Sequence, residues 1–357
     1  MNPTENPVQW TPRKGRGAIS NPPGRYELEQ IEFQHDGRKY EEETFETRYF
    51  DAPAKSLINY NQSPDIALDR SINPYRGCEH GCAYCFARPN HAYLGLSPGL
   101  DFETQIFCKM NAAEVLAREL RAPRYRCGTI GLGYNTDAYQ PIERQLKITR
   151  SLLEVLREFR HPVSVITKSG LIERDLDILQ DLARDDLAEV VVSVTTLDAS
   201  LSRILEPRAG APHSRVALVR TLSQAGIPVG VLAAPMIPFL NDGELEDIIE
   251  TVAEQGAYCA GYVVLRLPHE LKQLFREWLE EHVPERAERI MRAVRSLHGG
   301  VDYDPGFGHR LSGQGEFARL LRQRFVLACK RHGLDGQRRP LRTDRFHVPS
   351  DQADMFE

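Results

Sequence analysis

The sequence contains no run of about 18 apolar residues, so no segment is expected to span a membrane. No apolar stretch follows Met1 either. Residues 1–16 are polar and proline-rich, which argues against an export signal and for a cytoplasmic protein. Net charge is small, −5 over 357 residues, so bulk electrostatics do not recruit nucleic acid and any such contact has to come from a local patch. Cysteine is scarce and odd in number, seven in all, too few for a disulfide scaffold. No internal repeat or low-complexity block occurs. What is present, 41% apolar and 27% charged residues, is ordinary for a globular protein. The length allows one large domain with extensions.

Residues 1–68 are rich in Pro, Asn, Gln and charge, and read as an irregular N-terminal extension wrapped over the body. Within it, residues 14–18 (KGRGA) are either a flexible basic turn or an arm facing a substrate. From 69 to 268 short β-branched runs alternate with amphipathic helical stretches, the signature of βαβ units on a parallel sheet. Strands are expected at 72–75, 129–132, 163–167, 190–194, 228–236 and 262–267. The fourth is almost continuously apolar, as a strand buried on both faces should be. Helices are expected at 112–121, from Pro141 through Ile142, Leu146, Leu153 and Leu156, at 171–182 and at 214–225. Asn241 and Glu244 predict a capping box for a further helix ending near 254.

Six such units, joined right-handedly, curl into a partial (β/α)6 barrel within an α/β fold. A closed eight-stranded barrel needs two more strands, and only helices are expected after 268. Residues 269–357 form a helical, basic C-terminal extension. In it, 305–347 carries ten Arg or Lys against three Asp or Glu, interleaved with Phe307, Phe317, Phe325 and Phe346. This tail reads either as a surface that tracks phosphates and stacks bases, or as a charged helix over 317–331 with its phenylalanines buried.

Three of the seven cysteines fall within eight residues, in the run 77–86 (GCEHGCAYCF). Cys78, Cys82 and Cys85, with three and two residues between them, can wrap one inorganic cluster, and soft thiolate sulfur suits Fe–S clusters or zinc. Three ligands leave the fourth iron of a [4Fe–4S] cubane open. The amino and carboxylate groups of S-adenosylmethionine (SAM) can chelate such an iron. The alternative is zinc with His80 or a distant cysteine as fourth ligand, although no second C-x-x-C pair is present. Cys108, Cys127, Cys259 and Cys329 are scattered; Cys108, Cys259 and Cys329 read as inert packing residues, and Cys127 precedes the second strand, at the opposite end of the barrel.

The C-x-x-x-C-x-x-C motif, with an aromatic before its third cysteine and a (β/α)6 pattern after it, resembles the radical SAM superfamily. Residues 76–89 and, more widely, 16–18 (RGA) and 307–310 (FGHR) resemble its spore-photoproduct-lyase-like branch, often labelled "DNA repair photolyase", and a bacterial family within it whose substrate is not established. That resemblance implies a cluster that reductively cleaves SAM to a 5′-deoxyadenosyl radical, which abstracts hydrogen from a substrate, with nucleic acid a candidate. It also implies a low-potential electron donor of flavodoxin or ferredoxin type. The competing function is a zinc- or cluster-stabilised nucleic-acid-binding module without SAM chemistry.

The resemblance further implies that SAM is held at successive strand ends. In residues 131–137 (GLGYNTD), Thr136 and Asp137 are the candidates for its ammonium, Asp137 being alternatively a helix cap. Tyr139, Gln140 and Glu143 face the substrate or shape the turn. Lys168 would meet the carboxylate, or is a surface charge. Ser193 and Thr195 would bond the ribose, or pack. Arg208 would pair with carboxylate or ribose, or with Glu206. Residues 234–242 (APMIPFLND) resemble the adenine-side motif. Spore photoproduct lyases return a hydrogen atom from a cysteine near the end of the second strand, but 131–137 contains none. Tyr134 is the remaining candidate donor there, or a core or lid tyrosine.

Overall fold

The computed structural model describes residues 11–26, 46–335 and 340–350. The strands are β1 (Arg48–Asp51), β2 (Asn59–Tyr60), β3 (Arg70–Ile72), β4 (Tyr75–Arg76), β5 (Gln105–Cys108), β6 (Ile130–Leu132), β7 (Val163–Thr167), β8 (Ala188–Ser193), β9 (Val229–Met236) and β10 (Cys259–Val264). The helices are α1 (Asp101–Thr104), α2 (Ala112–Leu120), α3 (Glu143–Leu146), α4 (Ile148–Glu158), α5 (Leu176–Arg184), α6 (Ala199–Leu205), α7 (Pro212–Gln224), α8 (Leu245–Glu254), α9 (Leu271–His282), α10 (Pro284–Leu297) and α11 (Gly315–Arg331).

One sheet runs in the order β10-β9-β8-β7-β6-β3-β2. Its strands from β3 onward are parallel, and β2 adds antiparallel to β3. The expected six-unit α/β architecture is therefore present, and the sheet does not close on itself. Alternation of side chains sets its two faces. Val163, Val165, Val190, Val192, Val229 and Val231 point to the helices and are at most 2% exposed. Ile166, Val191 and Leu232 alternate with them on the concave side and are only half-buried. The fourth strand is thus not sealed on both faces as its apolar run suggested, because Val191 opens into the concavity.

Several element ends differ from expectation. β3 stops at Ile72, and after Asn73 and Pro74 the chain leaves the main sheet. Tyr75 and Arg76 join a second sheet ordered β1-β5-β4. The N-terminal extension is accordingly not wholly irregular, since it supplies β1 and β2. The helix expected from Pro141 is interrupted at Lys147, whose φ is 53°. Glu143 Oε2 there accepts from Thr149 N (3.0 Å) and starts α4 afresh. The helix expected at 171–182 begins as a 3-10 turn, Gly170–Asp175, and becomes α-helical only at Leu176. The last strand is 259–264 rather than 262–267, because the small residues Ala260 and Gly261 continue the ladder to β9.

The expected capping box does not form. Asn241 Nδ2 donates to Thr195 O (2.7 Å) and Pro235 O (2.9 Å), while its Oδ1 accepts from Ile237 N (2.7 Å). Glu244 accepts from Thr196 Oγ1 and Leu197 N, both at 2.6 Å. Both side chains lock the loops beyond β8 and β9 to each other instead of capping α8.

In the C-terminal extension Phe317 meets Phe239, Phe325 meets Tyr262, and Phe346 lies against Phe159. Phe307, in contrast, is 58% exposed. Arg324 clamps Glu246 with bonds of 2.7 and 2.5 Å. The tail is therefore chiefly a packed, charged helix. No helix among the described residues is long and apolar enough to cross a membrane.

Candidate active site

The cysteine loop follows β4, a few residues beyond the C-terminal end of β3, on the side where the parallel strands end. Gly77 and Gly81 sit at φ 81° and 66°, a region open to glycine, and let the loop turn sharply. Cys78 N donates to Phe102 O (2.9 Å) and Ala83 N to Leu205 O (2.9 Å), so both flanks of the loop are anchored. Beneath it lies Arg88, fully buried. Its guanidinium donates to Cys82 O (2.9 Å), Gly99 O (2.9 Å) and Gly81 O (3.2 Å), and it pairs with Glu103 Oε1 at 2.5 Å. The same carboxylate accepts from Gly17 N (3.1 Å) and Ala18 N (2.8 Å). Residues 16–18 are thus an ordered strap over the loop, not a free arm. A Cβ at Gly17 would lie 1.7 Å from Gly81 O.

Cys78 and Cys82 are buried and Cys85 is half-buried. Burial, reinforced by Asp137 and the other two cysteines, pushes the Cys78 thiol well up. Burial lifts Cys82 to about 12 against the pull of the Lys168 ammonium. Such thiols ionise when a metal takes them. His80, the fourth ligand a zinc site would want, is turned to Asp137 Oδ2 (3.4 Å). Among the described residues, no three His, Cys, Asp or Glu side chains converge as ligands of a single ion do. A cubane asks instead for one thiolate on each of three irons, which this all-cysteine donor set suits.

Around the loop the strand ends bring the other predicted residues together. Thr136 is buried and its Oγ1 donates to Tyr75 O (2.8 Å). Asp137 accepts from Tyr139 N (2.9 Å), Thr167 Oγ1 (2.8 Å) and Lys168 N (2.8 Å), tying the ends of β6 and β7. Burial alone would raise its pKa, yet His80 and these donors hold it well below the carboxylate range. Thr195 Oγ1 bonds Glu206 Oε1 (2.9 Å) and Ala234 O (2.8 Å). Arg208 reaches Glu79 Oε1 (3.1 Å), whereas Glu206 pairs with Arg215 (2.6 Å).

Two predicted groups are less committed. Lys168 Nζ lies 5.8 Å from the Tyr84 ring centroid, and Ser193 Oγ makes one long contact to Ala234 O (3.5 Å). Burial would lower Lys168, but Cys82 and Glu206 hold it above its ordinary value. Tyr139, Gln140 and Glu143 are all fully buried and bonded within the fold. They shape the turn.

Sequence reasoning passed over Glu79, Arg88, Glu103 and Arg215. The only available signal was charge embedded among small and apolar residues, as at Arg88 three positions after Cys85.

A cavity of about 610 Å³ borders the cysteine loop. Phe86, which follows Cys85, lines it with Tyr134, Asn135, Arg266, Phe307 and Arg310. Arg266 lies over the Phe86 ring (4.3 Å) and Arg310 over Phe307 (4.7 Å). Arg310 is neutralised by Asp65 (2.6 Å), while no carboxylate of the described residues pairs with Arg266. Tyr134 donates to or accepts from Ser164 Oγ (3.0 Å) on the concave face. Cys127 precedes β6 and Cys259 lies beside Gly230 on the concave face, and all seven cysteines are free.

A partial α/β barrel with a three-cysteine loop at its strand ends defines a class of cluster-bearing enzymes. The Radical SAM superfamily model matches residues 72–252. An uncharacterized protein of Mycobacterium tuberculosis is 35% identical over 290 residues, covering 80% of this chain and 81% of that protein. One of Methanocaldococcus jannaschii is 29% identical over 238 residues, covering 66% and 84%. Spore photoproduct lyase complexed with dinucleoside spore photoproduct shares the fold, with a TM-score of 0.56 over 80% of this chain and 79% of that one at 14% identity. The chain belongs to the radical SAM superfamily, in a spore-photoproduct-lyase-like fold. It is an enzyme whose cofactors are SAM and a [4Fe–4S] cluster, and the binding module without SAM chemistry is set aside.

Proposed function

We propose that Cys78, Cys82 and Cys85 hold the cluster and that the substrate occupies the cavity beside Phe86. When bound, the cluster and SAM supply reductive S–C5′ cleavage and a 5′-deoxyadenosyl radical that abstracts hydrogen from the substrate. The protein residues orient and shield. Arg88 and Glu103 fix the loop backbone, and Lys168 presents an ammonium to the SAM carboxylate. Ser193 offers its hydroxyl to the ribose. Thr136, Asp137, Thr195 and Arg208 serve the site by holding the strand ends, and any contact they make to SAM is added to bonds already in place.

The observation that carries this reading is the position of the cavity. It touches the residue after Cys85 and is lined by three aromatic rings and by Arg266, a guanidinium without a carboxylate partner. Rings and guanidinium groups together suit a planar, anionic substrate, and nucleic acid is the first candidate. Tyr134, on the cavity wall, is our candidate to return a hydrogen atom, and the tyrosyl radical left behind would be restored by one electron from the external donor and one proton. Residues 131–137 contain no cysteine, so the reaction is expected to differ from thymine-lesion repair.

The test is anaerobic reconstitution with iron and sulfide, reduction, and assay for 5′-deoxyadenosine. A brown protein that forms it is expected, and each Cys→Ser variant loses both colour and product. A colourless protein with one tightly bound zinc would overturn the assignment. Affinity for single-stranded DNA or RNA that falls steeply with salt is expected if the substrate is nucleic acid, and Arg266→Ala lowers it.

A further inference from the structure

The second sheet carries surface that SAM chemistry does not use. Register across β1, β5 and β4 places Phe50 beside Phe107 and Phe107 beside Arg76. The two rings stack with centroids 5.1 Å apart, and Phe50 is 37% exposed. Next to this row, Lys55, Arg76, Phe107 and Lys109 line a cavity of about 420 Å³. No lining residue is acidic, and no carboxylate of the described residues forms an ion pair with Lys55, Arg76 or Lys109. Lys109 donates instead to Asn73 O (2.7 Å), and burial, with Arg76 close by, draws its pKa down to about 8. Glu119 offsets part of the charge at Lys109, but no carboxylate lines the cavity, so the three cations leave the patch positive and suited to a negative partner.

The patch lies close to the redox centre by covalent connection. Arg76 is two residues from Cys78, which limits their Cα separation to about 7 Å. On the reading given above, an electron has to reach the cluster from outside the chain. A small inorganic anion would answer the charge but leave the exposed aromatic row unused.

We propose that the Phe50–Phe107–Arg76 face, with Lys55 and Lys109, docks the electron donor, a small acidic one-electron carrier protein of the flavodoxin or ferredoxin type. Electron-transfer encounters are small, burying less than about 1,200 Å², and depend on charge for steering. An apolar centre with a cationic rim matches that demand.

The reconstituted holoenzyme is mixed anaerobically with reduced bacterial flavodoxin or with dithionite, and bleaching of the cluster absorbance is followed by stopped flow. Lys55 and Arg76 are both exposed, so Lys55→Glu and Arg76→Glu are expected to fold. Each slows reduction by flavodoxin about tenfold and leaves reduction by dithionite unchanged, and added salt slows the wild type with flavodoxin only. Equal rates in variants and wild type overturn the proposal, as does an equal loss with both reductants. Titration calorimetry of the full chain with oxidised flavodoxin needs no cluster. Weakened binding by both variants supports the docking surface even if the cluster assignment fails, and unchanged binding removes it.

Discussion

Gly17 and Glu103 act on the cluster loop from outside the motif that defines it. A methyl group at Gly17 meets the carbonyl of Gly81, so Gly17→Ala is expected to displace the strap. The cost is about 1–3 kcal/mol, seen as a lower Tm and faster proteolytic cleavage before residue 26. Glu103→Ala leaves the Arg88 guanidinium buried without its carboxylate and is expected to destabilise by about 3–5 kcal/mol in urea titration. Arg88→Met with Glu103→Met together should cost less than Glu103→Ala alone, because no charge is then stranded. The cysteine loop was legible because its meaning lies in spacing over eight residues. The Arg88–Glu103 pair was not, since its members are 15 positions apart and Ala18 of the strap lies 85 positions before Glu103. No local pattern records a contact at that separation.

At the level of elements, period and composition were legible where a face is buried. β7 and β9 follow the expected ranges within a residue, because β-branched residues alternate toward the helices. β1 and β2 escaped notice because they are four and two residues long and exposed throughout, with no apolar face to announce them. Asn241 and Glu244 carried the right spacing for a capping box and serve another end. Asn241→Ala removes two donors and one acceptor from buried backbone at Thr195, Pro235 and Ile237. A loss of about 2–3 kcal/mol is expected in chemical denaturation, together with weaker SAM binding by equilibrium dialysis. Asn241→Asp keeps the acceptor for Ile237 N and should recover only part of the loss.

For the molecule as a whole, acid should act through two buried imidazoles. His161 donates Nδ1–H to Pro162 O (3.0 Å) and accepts from Tyr125 O–H at Nε2 (2.7 Å), a neutral arrangement. His91 is enclosed by Phe102 and Phe107. Burial lowers both to about 4, while an unfolded histidine titrates near 6.5. Folded pKa values below unfolded ones mean that their contribution is full above about 6.5 and is lost as pH falls toward 4. The loss amounts to roughly 3 kcal/mol per histidine. A Tm measured from pH 7 to pH 4 should fall, and His161→Gln should flatten the slope. The six-unit parallel sheet was legible at this scale because helix and strand periods alternate over two hundred residues. Its open concave face was not, because the strand sequence does not state which side a ligand will fill.

The lips of the main sheet, β2 and β10, are joined by no ladder. What spans them is the segment around 308–311. Leu311 O accepts from Val264 N (2.9 Å), while Gly308 N (2.7 Å) and Arg310 Nε (2.6 Å) both hold Asp65. A barrel sewn shut by strand pairing opens only by unravelling. Here the β2 side is held by the Asp65 carboxylate and by the Ser63 hydroxyl, which accepts from Arg310. Closure of the main sheet beside the cavity therefore rests on a few side-chain and single backbone bonds, which can be changed one residue at a time without disturbing the strand ladder.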